Sequence, residues 1–364
     1  AQKVGWGTDR SKWPYVAVKP RNLWQRYWNI QRGDAEIIQP GEIVGTRPSS
    51  LDYPLIDRGI GPMLHDAKPG LLVASVMVIP IIFFITAFRW YLLLKALDIL
   101  MSFKQAFVVN MVGAFYNTFM PGSTGGDLLK AYYASRLTTH RTRAVMSVIV
   151  DRVLGLIALV IVGGVMSGVG YFEIDAHDPA RRKCAQIAIG SFCILLGTVV
   201  GLAVYYTPMI RRLVGLDWII AHLPMQRHVQ HAIETMDIYR RRPLLVLGAI
   251  LITLPVHSLV VVSATFAGEA FGLPLHPLYY WVVVPVVVLA GSIPISPQGA
   301  GVMEFFAILL TKRQGCTVSQ AFALTMSIRI VQILWNLTGG LFVLRGGFHA
   351  PTEEEKHTME NDGE

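Results

Sequence analysis

The sequence predicts an all-α, polytopic integral membrane protein, a helical bundle with two broken or re-entrant segments related as an inverted repeat. Three observations carry this expectation. The 364-residue chain is 53% hydrophobic and 15% charged, with a mean hydropathy of +0.47, too apolar and too weakly charged for an ordinary soluble domain. Several apolar stretches approach the roughly twenty residues that a helix needs to cross the hydrocarbon core. Two polar, Gly/Pro-broken stretches, Asn117 to Lys130 and Gly291 to Glu304, interrupt long apolar sequence. Lipid cannot satisfy peptide N–H and C=O groups, so irregular backbone at membrane depth must be buried in protein or line a wet cavity. Two such breaks point to one internal site.

Residues 1–69 form a polar, Pro-rich arm in which Trp13, Tyr15, Trp24, Tyr27 and Trp28 are interleaved with Lys12, Lys19, Arg21 and Arg26. That mixture suits a headgroup-level segment or an extramembrane arm. The membrane domain is expected over 70–345, with about five full spans and two broken pairs at 103–136 and 278–311. The first span runs from Leu71 to Leu94, and Arg89, Lys95 and Lys104 cluster at its far end, which the positive-inside bias places in the cytoplasm. Phe103 to Met120 is apolar but short, breaks at Pro121 and resumes as Asp127 to Arg136. Both of its flanks are basic, so the simplest geometry is a hairpin that enters from the cytoplasm and returns.

A long span follows from Ala144 to Gly170, then the loop Glu173 to Lys183 with balanced charge, then a span from Ala185 to Tyr206. Residues 207–242 carry Arg211, Arg212, Arg227, Arg240, Arg241 and Arg242 and fit a cytoplasmic connection with one amphipathic helix. Leu244 to Phe271 is the next span, kinked near Pro255. Leu278 to Ile293 and Gly301 to Leu310 form the second broken pair, and Ala321 to Leu344 is the last span before a polar tail over 346–364. If the second pair is also a hairpin it enters from the outside, with Lys312 and Arg313 as an exception to the charge bias. A single broken span removes that exception and puts the carboxyl terminus outside.

The formal charge of +8 resides mostly in loops beside apolar spans, which argues for orientation in a membrane and against nucleic acid as a partner. Cys184, Cys193 and Cys316 have no metal-ligand spacing and are odd in number, so neither a metal site nor a disulfide framework is expected. The first residue is Ala and no cleavable signal is visible, so the amino terminus is expected to be trimmed or preceded by a further segment. Gly122-Ser-Thr-Gly-Gly-Asp lacks the spacing and the Lys-Ser/Thr ending of a nucleotide loop, and no Ser/His/Asp constellation appears. The expectation is a protein that is not an enzyme and uses no cofactor.

Shifting the chain by 177 residues lays Asp127 on Glu304, Ala144 on Ala321 and Arg152 on Arg329, and each acid precedes its arginine by 25 residues. Met146-Ser147 and Met326-Ser327 agree in context. Short, interrupted segments at corresponding places in two halves mark the substrate site of inverted-repeat transporters.

An Arg or Asp at mid-helix costs roughly 2.5–3.5 kcal/mol on insertion scales, so Asp151, Arg152 and Arg329 should face a partner or a cavity. Asp127 with Arg152, or Glu304 with Arg329, can be read as buried ion pairs holding the halves together. Both acids can also be read as caps in the first turn of a short helix. The same atoms support a binding reading. The first N–H groups of each short helix favour an anion, with Ser123, Thr124, Gly125 and Gly126 in one half and Gln298, Gly299 and Gly301 in the other letting a phosphate approach the backbone. Arg152, Arg329 and Lys130 then complete a basic cavity for a phospholipid headgroup, while Asp127 and Glu304 contact a headgroup amine or gate the cavity. Asp151, Asn117 and Arg89 are assigned structural or ion-pairing roles. His257, beside Pro255, is read as packed or kink-associated, and Trp335 and Asn336 as packing and interhelical hydrogen bonding.

Arg89-Trp90 with Leu93-Leu94, Asn117 through Pro121-Gly122 to Gly125-Gly126-Asp127 with Lys130, Asp151-Arg152, Pro294 through Ser296-Pro297 to Gly299, Gly301 and Glu304, and Arg329 with Trp335 and Gly339-Gly340 occur in that order. On these motifs, residues 71 to 345 resemble the transmembrane, flippase-like domain of the lysylphosphatidylglycerol synthase family. The resemblance implies an all-helical membrane domain with re-entrant segments that moves an anionic or aminoacylated phospholipid between leaflets of a bacterial inner membrane, without ATP or metal. Because the sequence ends soon after the last span, aminoacyl transfer is not expected. The alternative is a non-transporting accessory subunit whose partner is a lipid-modifying or cell-wall glycan enzyme, docked through residues 13–28 or 207–242.

Overall fold

The computed structural model describes residues 59–345 except 120–124, 137, 139–140, 214, 216–225 and 294–295, together with five short strands in the preceding arm. In that arm β1 (Gln2–Lys3), β2 (Tyr15–Pro20) and β3 (Gly33–Ile38) form one antiparallel sheet, and β4 (Ile43–Thr46) pairs with β5 (Pro54–Ile56). These strands are additions to the expected helical architecture, since apolar alternation in the arm is too short and too often broken by Pro and Gly to announce them.

From residue 60 onward the described chain is helical: α1 (Ile60–His65), α2 (Pro69–Ala96), α3 (Phe103–Phe119), α4 (Gly125–Ser135), α5 (Arg141–Glu173), α6 (Pro179–Tyr206), α7 (Pro208–Leu213), α8 (Gln226–Arg240), α9 (Pro243–Ala270), α10 (Pro277–Gly291), α11 (Val302–Thr311), α12 (Val318–Thr338) and α13 (Gly340–Leu344). Among the described residues, five helical stretches are long and apolar enough to cross a membrane: α2, α5, α6, α9 and the continuous run of α12 and α13. The expected spans are all present and most extend by two or three residues beyond the apolar runs. Their starts are set by chemistry outside those runs. Proline opens α2, α6, α9 and α10, where its missing N–H has no intrahelical partner to lose. Asp178 caps α6 by accepting from Ala180 N–H at 2.8 Å, and Thr317 with Gln320 forms a capping box at α12. The polar connection 207–242 holds the expected amphipathic helix as α8, preceded by the additional short α7.

Each broken pair is a helical hairpin. In the first, α4 folds back along α3, so that Gly126 lies against Gly113 and Asn117. In the second, Gly299 lies on Gly291, and the Tyr279 hydroxyl near the start of α10 donates to Leu310 O near the end of α11 at 3.0 Å. The duplication extends to the packing. With α2, α3, α4 and α5 matched to α9, α10, α11 and α12, each interhelical contact in one half has a counterpart: α3 on α12 answers α10 on α5, and α2 and α9 pack on each other. Helices α2 and α9 begin 174 residues apart, at Pro69 and Pro243, whereas α5 and α12 begin 177 apart, at Arg141 and Val318. The offset changes at the hairpins, where the second break is the longer.

Close crossings depend on glycine. A Cβ on Gly339 would sit 2.1 Å from Met111 O, and one on Gly163 would sit 3.0 Å from Pro285 Cβ at the equivalent crossing. Small residues of this kind let helix backbones approach where lipid supplies no hydrophobic drive. Gly339→Ala should therefore lower stability by about 1–3 kcal/mol through overpacking, read as the thermal midpoint of detergent-purified protein. Gly197→Ala on α6, which meets nothing within 4 Å, should leave that midpoint in place.

The loop before α10 offers a pH test. His276 caps α10, its Nδ1 accepting from Leu278 N–H at 3.3 Å, and burial holds its pKa below the ordinary 6.5. The acceptor must be neutral. Its contribution is present above pH 6.5 and is lost as pH falls through the lowered folded value. Thermal midpoints should fall on acidification, and His276→Asn, which caps without titrating, should flatten that dependence.

Candidate functional site

Among the described residues, Arg89, Arg152 and Arg329 enter the bundle, and each is hydrogen-bonded to an acid. Asp151 and Arg152 are consecutive on α5, so about 100° separates the directions of their side chains. Asp151 faces α2 and α9, where its Oδ1 accepts from Arg89 Nε at 2.7 Å while Arg89 Nη1 donates to Thr253 Oγ1 at 2.8 Å. Both side chains of that pair are under 10% exposed. Arg152 faces α4 instead, and its Nη1 donates to Asp127 Oδ2 at 2.5 Å.

The second half repeats the latter pair. Arg329 Nη2 on α12 donates to Glu304 Oε1 on α11 at 2.7 Å, and Thr325 Oγ1 donates to the same oxygen at 3.1 Å. The two equivalent pairs differ in access. Arg152 and Asp127 are 34% and 25% exposed at the side chain, against 9% and 12% for Arg329 and Glu304. The Nε of Arg329 is buried with no hydrogen-bond partner among the described residues, so this guanidinium retains a donor.

The backbone around the acids is partly committed. Asn117 Oδ1 accepts the Gly126 N–H at 2.7 Å, which gives Asn117 its structural role and occupies one of the free amides of α4. Glu304 Oε2 accepts the Gly301 N–H at 2.6 Å, so its carboxylate satisfies the backbone at the start of α11. Both the capping and the ion-pair readings of Glu304 therefore hold together in one side chain. Gly125 and Gly126 are buried in the first turn of α4, while Ser123 and Thr124 lie outside the described residues. Gln298, Gly299 and Gly301 all adopt positive φ, at 48°, 69° and 84°. A Cβ on Gly299 would sit 2.5 Å from Gly291 Cα, so this turn requires glycine twice over.

The breaks meet. Gln298 Nε2 donates to Thr118 O at 3.4 Å, joining the tip of the second hairpin to the last turn of α3. Lys130 has its Nζ 5.5 Å from the Trp90 ring centroid and its stem against Gly113. His257 Nε2 donates to Gly155 O at 2.9 Å and Trp335 Nε1 to Val76 O at 2.8 Å, in keeping with the packing roles expected of both. Sequence reasoning did not join Arg89 to Asp151 or bring in Thr253 and Thr325. Thr325 carried a usable signal, since it stands one turn before Arg329 on the same helical face.

A solvent-accessible arginine–carboxylate pair can exchange its carboxylate for another oxyanion, and the planar guanidinium suits a phosphate that offers two oxygens. The sealed pair does different work. Arg89→Ala strands a buried carboxylate and should cost about 3–5 kcal/mol, whereas Arg89→Met with Asp151→Leu should restore most of the loss. Arg152→Ala should cost less, about 1 kcal/mol or below, because solvent screens that pair. Thermal unfolding of the four purified proteins measures the order.

Comparison with known proteins agrees with this architecture. The sequence profile described as "Lysylphosphatidylglycerol synthase TM region" matches residues 58–340. A "UPF0104 membrane protein" of Methanothermobacter thermautotrophicus is 24% identical over 293 residues, covering 74% of this chain and 82% of that protein. No solved structure matches the chain. The five apolar spans and the profile match identify a multi-pass membrane protein of lipid metabolism or transport, and the chain belongs to the lysylphosphatidylglycerol synthase TM region family.

Proposed function

We propose that the protein is a phospholipid translocase of the flippase class, which carries an anionic or aminoacylated phospholipid between the leaflets of a prokaryotic inner (plasma) membrane without itself catalysing a covalent reaction. The observation that carries this reading is the paired arrangement at the hairpin tips. Two acid–arginine pairs occupy equivalent positions in a duplicated bundle, the breaks beside them touch through Gln298 and Thr118, and only one pair is substantially accessible. An inverted repeat with one open and one closed site supports alternating access, in which each hairpin in turn takes the exposed arrangement.

In this reading Arg152 binds the headgroup phosphate as Asp127 releases it, and Asp127 then accepts from a headgroup amine where one is present. Arg329 receives the phosphate in the opposite state, with Glu304 and Thr325 as the groups it leaves. Lys130 raises the local positive potential from its place over Trp90. The glycines at the tips keep side chains out of the path between the two arginines.

Vesicles containing the purified protein and a labelled anionic phospholipid provide the test. Wild type should equilibrate the label between leaflets, and Arg152→Ala and Arg329→Ala should each abolish the movement while remaining monodisperse. Unchanged transport in the two variants removes these arginines from the site. A wild type that moves nothing across a broad lipid panel overturns the translocase reading and favours an accessory subunit of a lipid-modifying or cell-wall enzyme.

A further inference from the structure

Helices α5 and α10 cross closely at Gly163 and Pro285 and separate toward the tip of the second hairpin. The space between them is a cleft of about 370 Å³ lined by Leu156, Val286, Leu289, Ala290, Ile293 and Phe306, with Ser292 as its one polar residue, from α5, the end of α10 and α11. No lining side chain is charged. Leu156 stands four residues after Arg152 on α5, so one end of this apolar cleft adjoins the turn that presents the accessible arginine. Ile293 is 49% exposed, so the other side of the cleft opens at the protein surface.

At the matching crossing α12 meets α3, with Gly339 against Met111 O and Gly340 against the Phe115 ring. The cleft lies between the halves: Leu156 comes from the helix that carries the accessible arginine, and the rest of the lining comes from α10, the turn after it and α11.

We infer that this cleft holds one hydrocarbon chain of an anionic phospholipid whose phosphate is bound at Arg152. The inference rests on the translocase reading and specifies the part of the substrate that reading leaves open. An apolar trough ending beside a cation matches an amphiphile with an anionic head, and matches neither free phosphate nor a neutral hydrocarbon. Its volume lies at the lower end of the roughly 300–1,000 Å³ found for small-molecule clefts, which suits a single chain. Passage from bilayer to cleft exchanges one apolar surrounding for another, so the chain gains position more than transfer energy. The cleft then aligns the headgroup with Arg152.

The test uses the full chain, purified in detergent, with a phosphatidic acid that carries a photoactivatable diazirine in one acyl chain. Peptide mapping should place the label on the α5, α10 and α11 segments that line the cleft and leave α6 unlabelled, although α6 exposes Ile189, Phe192 and Val199. Ile293→Trp, which narrows the cleft from its exposed rim, should lose that labelling and slow lipid movement in vesicles. Ile189→Trp on α6 should change neither. Water-soluble glycerol phosphate should not displace the label at concentrations where unlabelled phosphatidic acid does; displacement by both would assign recognition to the phosphate alone and overturn the chain site. Label spread over α6 as strongly as over the cleft, or an Ile293→Trp variant that labels and transports as wild type, also overturns it. Those results leave the translocase reading standing if wild-type vesicles move lipid, whereas wild-type vesicles that move none defeat that reading directly.

Discussion

Hydrocarbon cannot hydrogen-bond a peptide group, so every place where a helix stops inside this bundle must find its partners within the chain. The first hairpin finds one in Asn117, which takes the Gly126 amide. The second finds it in Glu304, which takes the Gly301 amide with one oxygen and Arg329 with the other. Two of the acids that neutralise internal arginines, Asp127 and Glu304, thus sit where broken backbone creates a positive helix end. Backbone satisfaction and charge neutralisation are met together at the same positions.

The three arginines show how surroundings divide one residue type into different roles. Arg89 is shut between α2, α5 and α9, with Asp151 and Thr253 taking its donors, and serves to hold those helices in register. Burial of such a pair is costly, and removing one member is costlier than removing both. Arg329 is nearly as buried but its Nε has no partner among the described residues. Arg152 retains a third of its side-chain exposure and adjoins an apolar cleft. Access, more than charge, separates the structural pair from the candidate binding pair.

Duplication supplies two such hairpins, and the differences between them carry the functional information. The Arg152–Asp127 pair is the more exposed of the two and the Arg329–Glu304 pair the more buried. In the proposed translocase, two matched arrangements that differ in access are what the bundle needs in order to present one site to two sides in turn.

The membrane class, the five spans, the two breaks and the 177-residue correspondence were all legible in the sequence, because hydropathy, proline and glycine report local constraints that lipid makes strict. So was the pairing of Asp127 with Arg152 and of Glu304 with Arg329, since the equal spacing placed each acid one helix before its base. What the chain order could not decide was which way adjacent side chains point. Asp151 and Arg152 are neighbours in sequence, yet one is sealed against Arg89 and the other faces Asp127. The position of Lys130 over Trp90, the contact between Gln298 and Thr118, and the cleft beside Leu156 likewise arise only when helices distant in sequence are packed. Composition and periodicity determine that a helix forms and which residues it carries; rotation about its axis and its neighbours are set by tertiary contact, and access to the arginines depends on both.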